Sequence, residues 1–353
     1  MLKLVVTQLL PYKKPTQIRK SDGTWRDLLP EEDLKCFTCS ISEEDTLITN
    51  QKFLFLERKD AKQLIVFFHG YMENITGDHG QFDIPLKRSS IVFPQDTFGI
   101  NYAGSWHLGN LASYKDQYIH PSIFLVKGVL EHIKTNTKID TTIFAGSCAG
   151  GFGAICHSVF NKVDQVYLSI PQTTLNPNCH CFNRGKPYWK KNERSKKNLM
   201  NQAIEYILPP FELDQFEQLL QRMPYLDANH FLKYITTNDI YVYHGIKLPL
   251  NIPKYFHLIG TRYAHHEDKN GAFMKEMYIP FINSLSELKT NFSIDILPIA
   301  GHDQYFYPHN IENFIHTHAQ FLSPEKIEAL GEKTPCNVLR TTRLLHNHIY
   351  LEE

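Results

Sequence analysis

The sequence predicts an α/β fold, with a mostly parallel central sheet, helices on both faces and an inserted cap. Three observations predict it. Short runs rich in β-branched and aromatic residues recur and stop at Gly or Pro. Stretches of helical length and spacing lie between them. One run passes without a break into a glycine-rich turn. Strands that are apolar throughout and joined by crossover helices need burial on both faces, because a strand with one wet face would alternate.

Residues 1–11 read as a first strand, since their apolar stretch is broken, holds one lysine and is followed by no small-residue cleavage site. The run 62–68 ends at His69-Gly70, and the run 90–93 ends at Pro94-Gln-Asp96. A helix is expected over 119–135, where Ile123, Val126, Leu130 and Ile133 recur at helical spacing. The run 141–145 enters the glycine-rich turn, 165–170 precedes Pro171, 254–259 ends at Gly260 and 292–297 precedes Gly301. Residues 1–55 then form an N-terminal extension, 56–175 and 251–330 the two halves of the core, and 331–353 a tail. Residues 176–250 interrupt the pattern with Asn176-Pro-Asn178, Pro209-Pro210 and a basic run from Lys186 to Lys197, and read as the cap, with helices over 199–207 and 213–222.

Composition narrows the function. Lys plus Arg and Asp plus Glu both number 37 in 353 residues, so no bulk positive field gathers nucleic acid or anionic lipid. No apolar run approaches the 18 or so residues of a spanning helix, so no integral membrane segment is expected. Seven cysteines are too few for a disulfide framework and odd in number, which points to the cytoplasm. Cys36-Phe-Thr-Cys39 and Cys179-His-Cys181 supply four thiols, but the second pair is too tightly spaced for a zinc knuckle, so no metal site is expected.

The most informative stretch is Gly146-Ser-Cys148-Ala-Gly150-Gly151. Glycines two before and two after a residue allow a turn so sharp that the central side chain is presented on strained backbone at a helix start, where unpaired N–H groups favour negative charge. The centred residue is Cys148. Ser147 is off register, flanked at the same offsets by Ala145 and Ala149. Phe67-Phe-His-Gly-Tyr71 closes an earlier strand so that the backbone N–H groups of Tyr71 and Ala149 converge as an oxyanion hole. His302 follows the last strand and is the expected base. The loop after Gly260 offers Glu267 and Asp268 as the carboxylate that orients the imidazole, with Asp268 preferred. The chain order nucleophile, acid, histidine is that of the hydrolases.

The segment ending in His69-Gly70, the elbow at Cys148 and Gly301-His302 together resemble the α/β-hydrolase superfamily over some 200 of the residues. Asp96-Thr-Phe-Gly99 followed by Gly104-Ser-Trp-His-Leu-Gly109 resembles the branch with bacterial capsule polysaccharide O-acetyltransferases and accessory-secretion acetyltransferases. That resemblance implies an acetyl-enzyme formed from acetyl-CoA and passed to a sugar hydroxyl, with no tightly bound cofactor. Two residues depart from the pattern: Cys148 stands where serine is usual, as it does in dienelactone-type hydrolases, and Tyr263 stands at the usual Gly-x-x-Asp position. A cysteine acyl-enzyme is a thioester, level in energy with acyl-CoA, which favours a transferase. His69, Trp106, Trp189, Lys190 and Lys191 are then the expected substrate or cofactor contacts, the lysines for CoA phosphates or an anionic polysaccharide and the tryptophans as flat faces. An esterase or thioesterase on the same triad, and a non-catalytic glycan- or partner-binding module, are the alternatives.

Overall fold

A computed structural model describes residues 2–9, 17–19, 25–43, 46–70, 89–96, 106–109, 112–114, 117–176, 179, 215–243, 246–263 and 274–300. In chain order the strands are β1 (Leu2–Leu9), β2 (Gln17–Arg19), β3 (Trp25–Asp27), β4 (Glu32–Glu43), β5 (Thr46–Arg58), β6 (Gln63–Phe68), β7 (Ser89–Pro94), β8 (Ala112–Tyr114), β9 (Gln117–Ile119), β10 (Thr141–Ser147), β11 (Gln165–Ser169), β12 (Ile240–Tyr243), β13 (Ile246–Pro249), β14 (Tyr255–Tyr263) and β15 (Asn291–Ala300). The helices are α1 (Ser122–Asn136), α2 (Ala149–Phe160), α3 (Phe216–Arg222), α4 (Ala228–Thr237) and α5 (Ile279–Glu287), the last preceded by one π-helical turn, Met274–Tyr278.

Among the described residues, nine strands form one sheet in the order β1-β4-β5-β7-β6-β10-β11-β14-β15. From β7 to β15 every neighbouring pair is parallel, whereas β1, β4, β5 and β7 pair antiparallel. The inner parallel strands β6, β7, β10 and β11 are buried almost from end to end because both faces are covered, whereas the edge strand β15 alternates, with Phe292 and Ile294 buried, Asn291 exposed and Ser293 half-buried. On one face Leu64, Val66, Phe68, Phe144, Val166, Leu168, Phe256 and Leu258 join the apolar residues of all five described helices. On the other, Ile65, Phe67, Ile91, Phe93, Ile143, Ala145, Tyr167 and Ile259 form a second buried cluster.

The structure moves one expected boundary. Residue 55 falls inside β5, and residues 2–9, 32–43 and 46–58 belong to the main sheet, so these strands are its antiparallel part and not an extension to it. Phe37, Cys39 and Ile41 on β4 are buried while Thr38 and Ser40 between them are half-buried, the period-two pattern of an antiparallel strand. Burial of Glu32 and Arg58 fastens these strands together: Arg58 Nη2 meets Glu32 Oε1 at 2.8 Å, and Nη1 donates to the Ser89 carbonyl at 2.6 Å. In the cap region, α3, α4 and the β12–β13 hairpin occupy described parts of 215–249, and the expected helix at 199–207 lies outside the described residues. No helix among the described residues is long and apolar enough to cross a membrane.

The parallel strands all end at one edge. In register, Gly146 lies beside Phe68, and Ser147 beside Ser169, which lies beside Ile259, which lies beside Asp295. The chain therefore leaves β6 at His69, β10 at Cys148, β14 after Tyr263 and β15 after Ala300 on the same side of the sheet, where reactive groups collect in this class of fold.

Candidate active site

β10 feeds α2 through one residue, Cys148, at φ 51° and ψ −119°. A non-glycine residue in that conformation is strained, at a cost of about 1–3 kcal/mol, and persists only where its surroundings hold it. Three backbone bonds do so. The Cys148 N–H donates to Ser169 O at 3.2 Å, and its carbonyl accepts from the Phe152 and Gln172 amides at 3.2 and 3.0 Å. Ser147, one residue earlier, is buried as the last residue of β10, while Cys148 is half-buried at the turn. Ala149 begins α2, so its N–H has no intrahelical acceptor.

Close approach explains the flanking glycines. A Cβ on Gly146 would lie 2.1 Å from Gly150 O, and one on Gly150 would lie 2.1 Å from Phe68 O and 2.4 Å from His69 O. The tight turn thus seats the start of α2 directly on the end of β6.

Behind that contact stands a buried polar cluster. The Asp96 amide donates to His69 Nε2 at 3.2 Å, so the proton sits on Nδ1, which donates to the Gly70 carbonyl at 2.9 Å. The His107 amide donates to Asp96 Oδ2 at 3.2 Å, His107 Nε2–H donates to the His69 carbonyl at 2.9 Å, and His157 Nε2–H donates to the His107 carbonyl at 2.8 Å. The His157 ring stacks on Phe68 at 5.2 Å. Burial, and then neighbouring His69, hold His107 down to about 3; burial holds His157 down to about 4. Both rings are therefore neutral near pH 7.

These two rings make stability acid-sensitive. Below the ordinary value of 6.5 the unfolded chain takes up protons that the folded chain refuses, so stability present above about pH 6.5 is lost as pH falls towards 4 and then 3. Each ring contributes up to about 1.4 kcal/mol per pH unit in that window. Urea unfolding at pH 7 and pH 5 should show a loss of about 3 kcal/mol, and His107→Gln should remove about half of it. A midpoint unchanged between the two pH values would contradict the assignment.

The structure brings His69 to the elbow but not as a ligand contact: both of its ring nitrogens are used within the protein. Trp106 is corrected in the same way. It is fully buried, and its indole N–H donates to Gln172 Oε1, so it offers no open face to adenine or sugar. Tyr71, Trp189, Lys190, Lys191, Glu267, Asp268 and His302 lie outside the described residues.

Sequence reasoning missed Gln172, whose amide and side chain join the Cys148 turn to Trp106, and Tyr278 from the π-helical turn. Tyr278 is fully buried and donates to Ile259 O at 3.2 Å; burial first, and then Cys148, hold its phenol well above its usual range. Thr173 beside them donates its hydroxyl to Met277 O at 2.8 Å. No cluster of metal-ligating side chains occurs among the described residues. Cys36 and Cys39 sit three apart on β4 and so point to opposite faces. Burial pushes the Cys39 thiol up to about 12, and burial followed by Glu276 and Asp227 does the same to Cys179.

No protein-family model and no curated protein matches the sequence. Among solved structures, the chain is similar to an acetyl xylan esterase from Paenibacillus sp. R4, with a TM-score of 0.51 and 12% identity over 93% of this chain and 89% of that one. It is also similar to an S-formylglutathione hydrolase from Agrobacterium tumefaciens, with a TM-score of 0.48 and 10% identity over 86% of this chain and 96% of that one. A third is the capsule O-acetyltransferase of Neisseria meningitidis serogroup A, with a TM-score of 0.43 and 13% identity over 79% and 90%. The likeness to the first of these, with the sheet and the elbow above, establishes the α/β-hydrolase fold.

Proposed function

We propose that the protein transfers acyl groups through a thioester on Cys148. The observation that carries this reading is the strained backbone of a half-buried cysteine, φ 51°, held between a strand end and a helix start. Strain of this kind gathers at reacting residues, and a helix N-terminus favours the thiolate over the thiol. His302 is the proposed base, and Asp268 or Glu267 the carboxylate that orients it; in the sequence His302 follows β15, and Glu267 and Asp268 follow β14, two strands that end at the carboxyl edge.

In the proposed cycle His302 takes the thiol proton and the Cys148 thiolate attacks the acyl carbonyl. The Tyr71 and Ala149 N–H groups receive the oxyanion. The tetrahedral adduct collapses by breaking the bond to the leaving group, which takes the proton from His302, and Cys148 keeps the acyl group. His302 then accepts the proton of an acceptor hydroxyl, the oxygen attacks the thioester, the bond to sulfur breaks, and the departing Cys148 sulfur recovers the proton from His302. Acetyl-CoA is the proposed donor, because CoA and cysteine thioesters lie close in energy. A sugar or capsule-type polysaccharide is the proposed acceptor, and Trp189, Lys190 and Lys191 are proposed to hold the anionic donor or acceptor.

The test is to feed the protein acetyl-CoA or an activated acetyl ester with and without sugar acceptors, and to measure free acetate and acetylated sugar. A transferase diverts acetyl groups from acetate to sugar as acceptor rises. If no acceptor changes the product, the enzyme is a hydrolase.

A further inference from the structure

The segment that follows β11 straps the elbow to the π-helical turn. Ser169 O accepts the Cys148 N–H at 3.2 Å, and the N–H of the same peptide unit, on Ile170, donates to Ile259 O at 2.8 Å. The Gln172 amide then donates to the Cys148 carbonyl at 3.0 Å, so the strap holds both backbone polar groups of the strained residue. Pro171 between them presses on α2, where a Cβ on Gly151 would lie 2.6 Å from the Pro171 Cβ. To make this turn Ile170, buried and β-branched, takes φ 46°, left-handed backbone that such a residue rarely adopts.

Two side-chain hydroxyls fasten the strap. Thr173, fully buried, donates its hydroxyl to Met277 O at 2.8 Å, and its amide meets Met277 Sδ at 3.4 Å. Tyr278 donates to Ile259 O at 3.2 Å, the same oxygen that receives the Ile170 amide. Burial, and then Cys148, keep that phenol protonated, so it remains a donor. The strain of one left-handed residue and the loss of one buried hydrogen bond are of the same order. Losing a hydroxyl therefore lets Ile170 relax, and with it the bonds that keep Cys148 at φ 51°. We propose that Thr173 and Tyr278 are positioning residues that lock the strap 169–173 and thereby hold Cys148 in its attacking geometry. The proposal rests on the acyl-transfer reading above.

The test reads single-turnover acylation of Cys148 by p-nitrophenyl acetate beside amide hydrogen exchange at the turn. Thr173→Val keeps the side-chain shape and loses the donor, Thr173→Ser keeps the donor, and Tyr278→Phe loses only the phenol oxygen. Ile282→Val is the control. It removes one methyl group from a buried residue of α5, the helix after the π-helical turn, and so lowers stability without removing any hydrogen bond of the strap.

Thr173→Val and Tyr278→Phe should acylate about ten-fold or more slowly, with exchange of the Cys148 and Gln172 amides about ten-fold faster. Thr173→Ser and Ile282→Val should stay within about three-fold of the parent protein in both readings. Parent-like acylation in Thr173→Val or in Tyr278→Phe overturns the proposal, and so does slower acylation with unchanged exchange. Failure of Thr173→Ser to restore the rate, or an equal loss in Ile282→Val, overturns it too. Each of these results leaves acyl transfer intact. Failure of the parent protein to acylate at Cys148 overturns acyl transfer itself, and this proposal with it. Should Thr173→Val not accumulate as folded protein, Tyr278→Phe against Ile282→Val decides.

Discussion

Replacing Cys148 with alanine is expected to abolish acyl-group capture and turnover, lowering the rate by about 10⁴-fold or more, while leaving the fold intact. The side chain is half-buried and at the surface of the core cluster, so its removal opens little space. Serine at the same place keeps the nucleophile's position with a less acidic group, and should retain a residual rate, roughly 10²-fold down. Glycine supplies a control on strain. A residue at φ 51° and ψ −119° is relieved by losing its Cβ, so Cys148→Gly should be more stable than Cys148→Ala by about 1 kcal/mol after the added flexibility of the unfolded chain is counted. Thermal melts of the three variants, read beside ester turnover, check both halves. Turnover by Cys148→Ala at more than a tenth of the parent rate would move the chemistry elsewhere.

Gly150→Ala is expected to give the largest structural effect. The added Cβ would sit 2.1 Å from the Phe68 carbonyl oxygen and 2.4 Å from that of His69, both backbone atoms at the end of a central strand. Neither can rotate aside. Either α2 lifts from β6 or the strand end shifts, at a cost on the order of 3 kcal/mol or more, which corresponds to a fall of roughly 5 °C or more in Tm. The movement also separates Ala149 from the His69–Gly70 segment, so activity should fall further than stability alone explains. A variant with parent-like Tm and rate would show that this contact is looser than described.

The inner strands of the parallel half were legible because they are largely apolar and covered on both faces: residues 64–68 of β6 and the whole of β7 are buried. β4 and β5 were hidden because half of their residues are polar. Phe37, Cys39 and Ile41 alternate with Thr38 and Ser40, a pattern that shows a strand only when read with period two. The elbow was legible because contact distances demand its glycines. Trp106 misled for the opposite reason: it stands among Gly, Ser and His as a surface aromatic would, yet its partner Gln172 is 66 positions away. The buried cluster of His69, Asp96 and His107 was equally hidden, since His69 and His107 are 38 positions apart and only the fold joins them. Local patterns disclose strands and turns; long-range hydrogen bonds between isolated polar residues leave no periodic trace.

Most directly, the site is tested by exposing the intact protein to acetyl-CoA, quenching in acid and mapping the modified peptide by mass spectrometry. Cys156 on α2 is an internal control, because burial leaves it 2% exposed and pushes its thiol up. One acetyl group on the peptide bearing Cys148, absent from Cys148→Ala and from Cys156, is the expected result. Acetylation spread over several cysteines, or none at Cys148 with either acetyl-CoA or an activated ester, would contradict it.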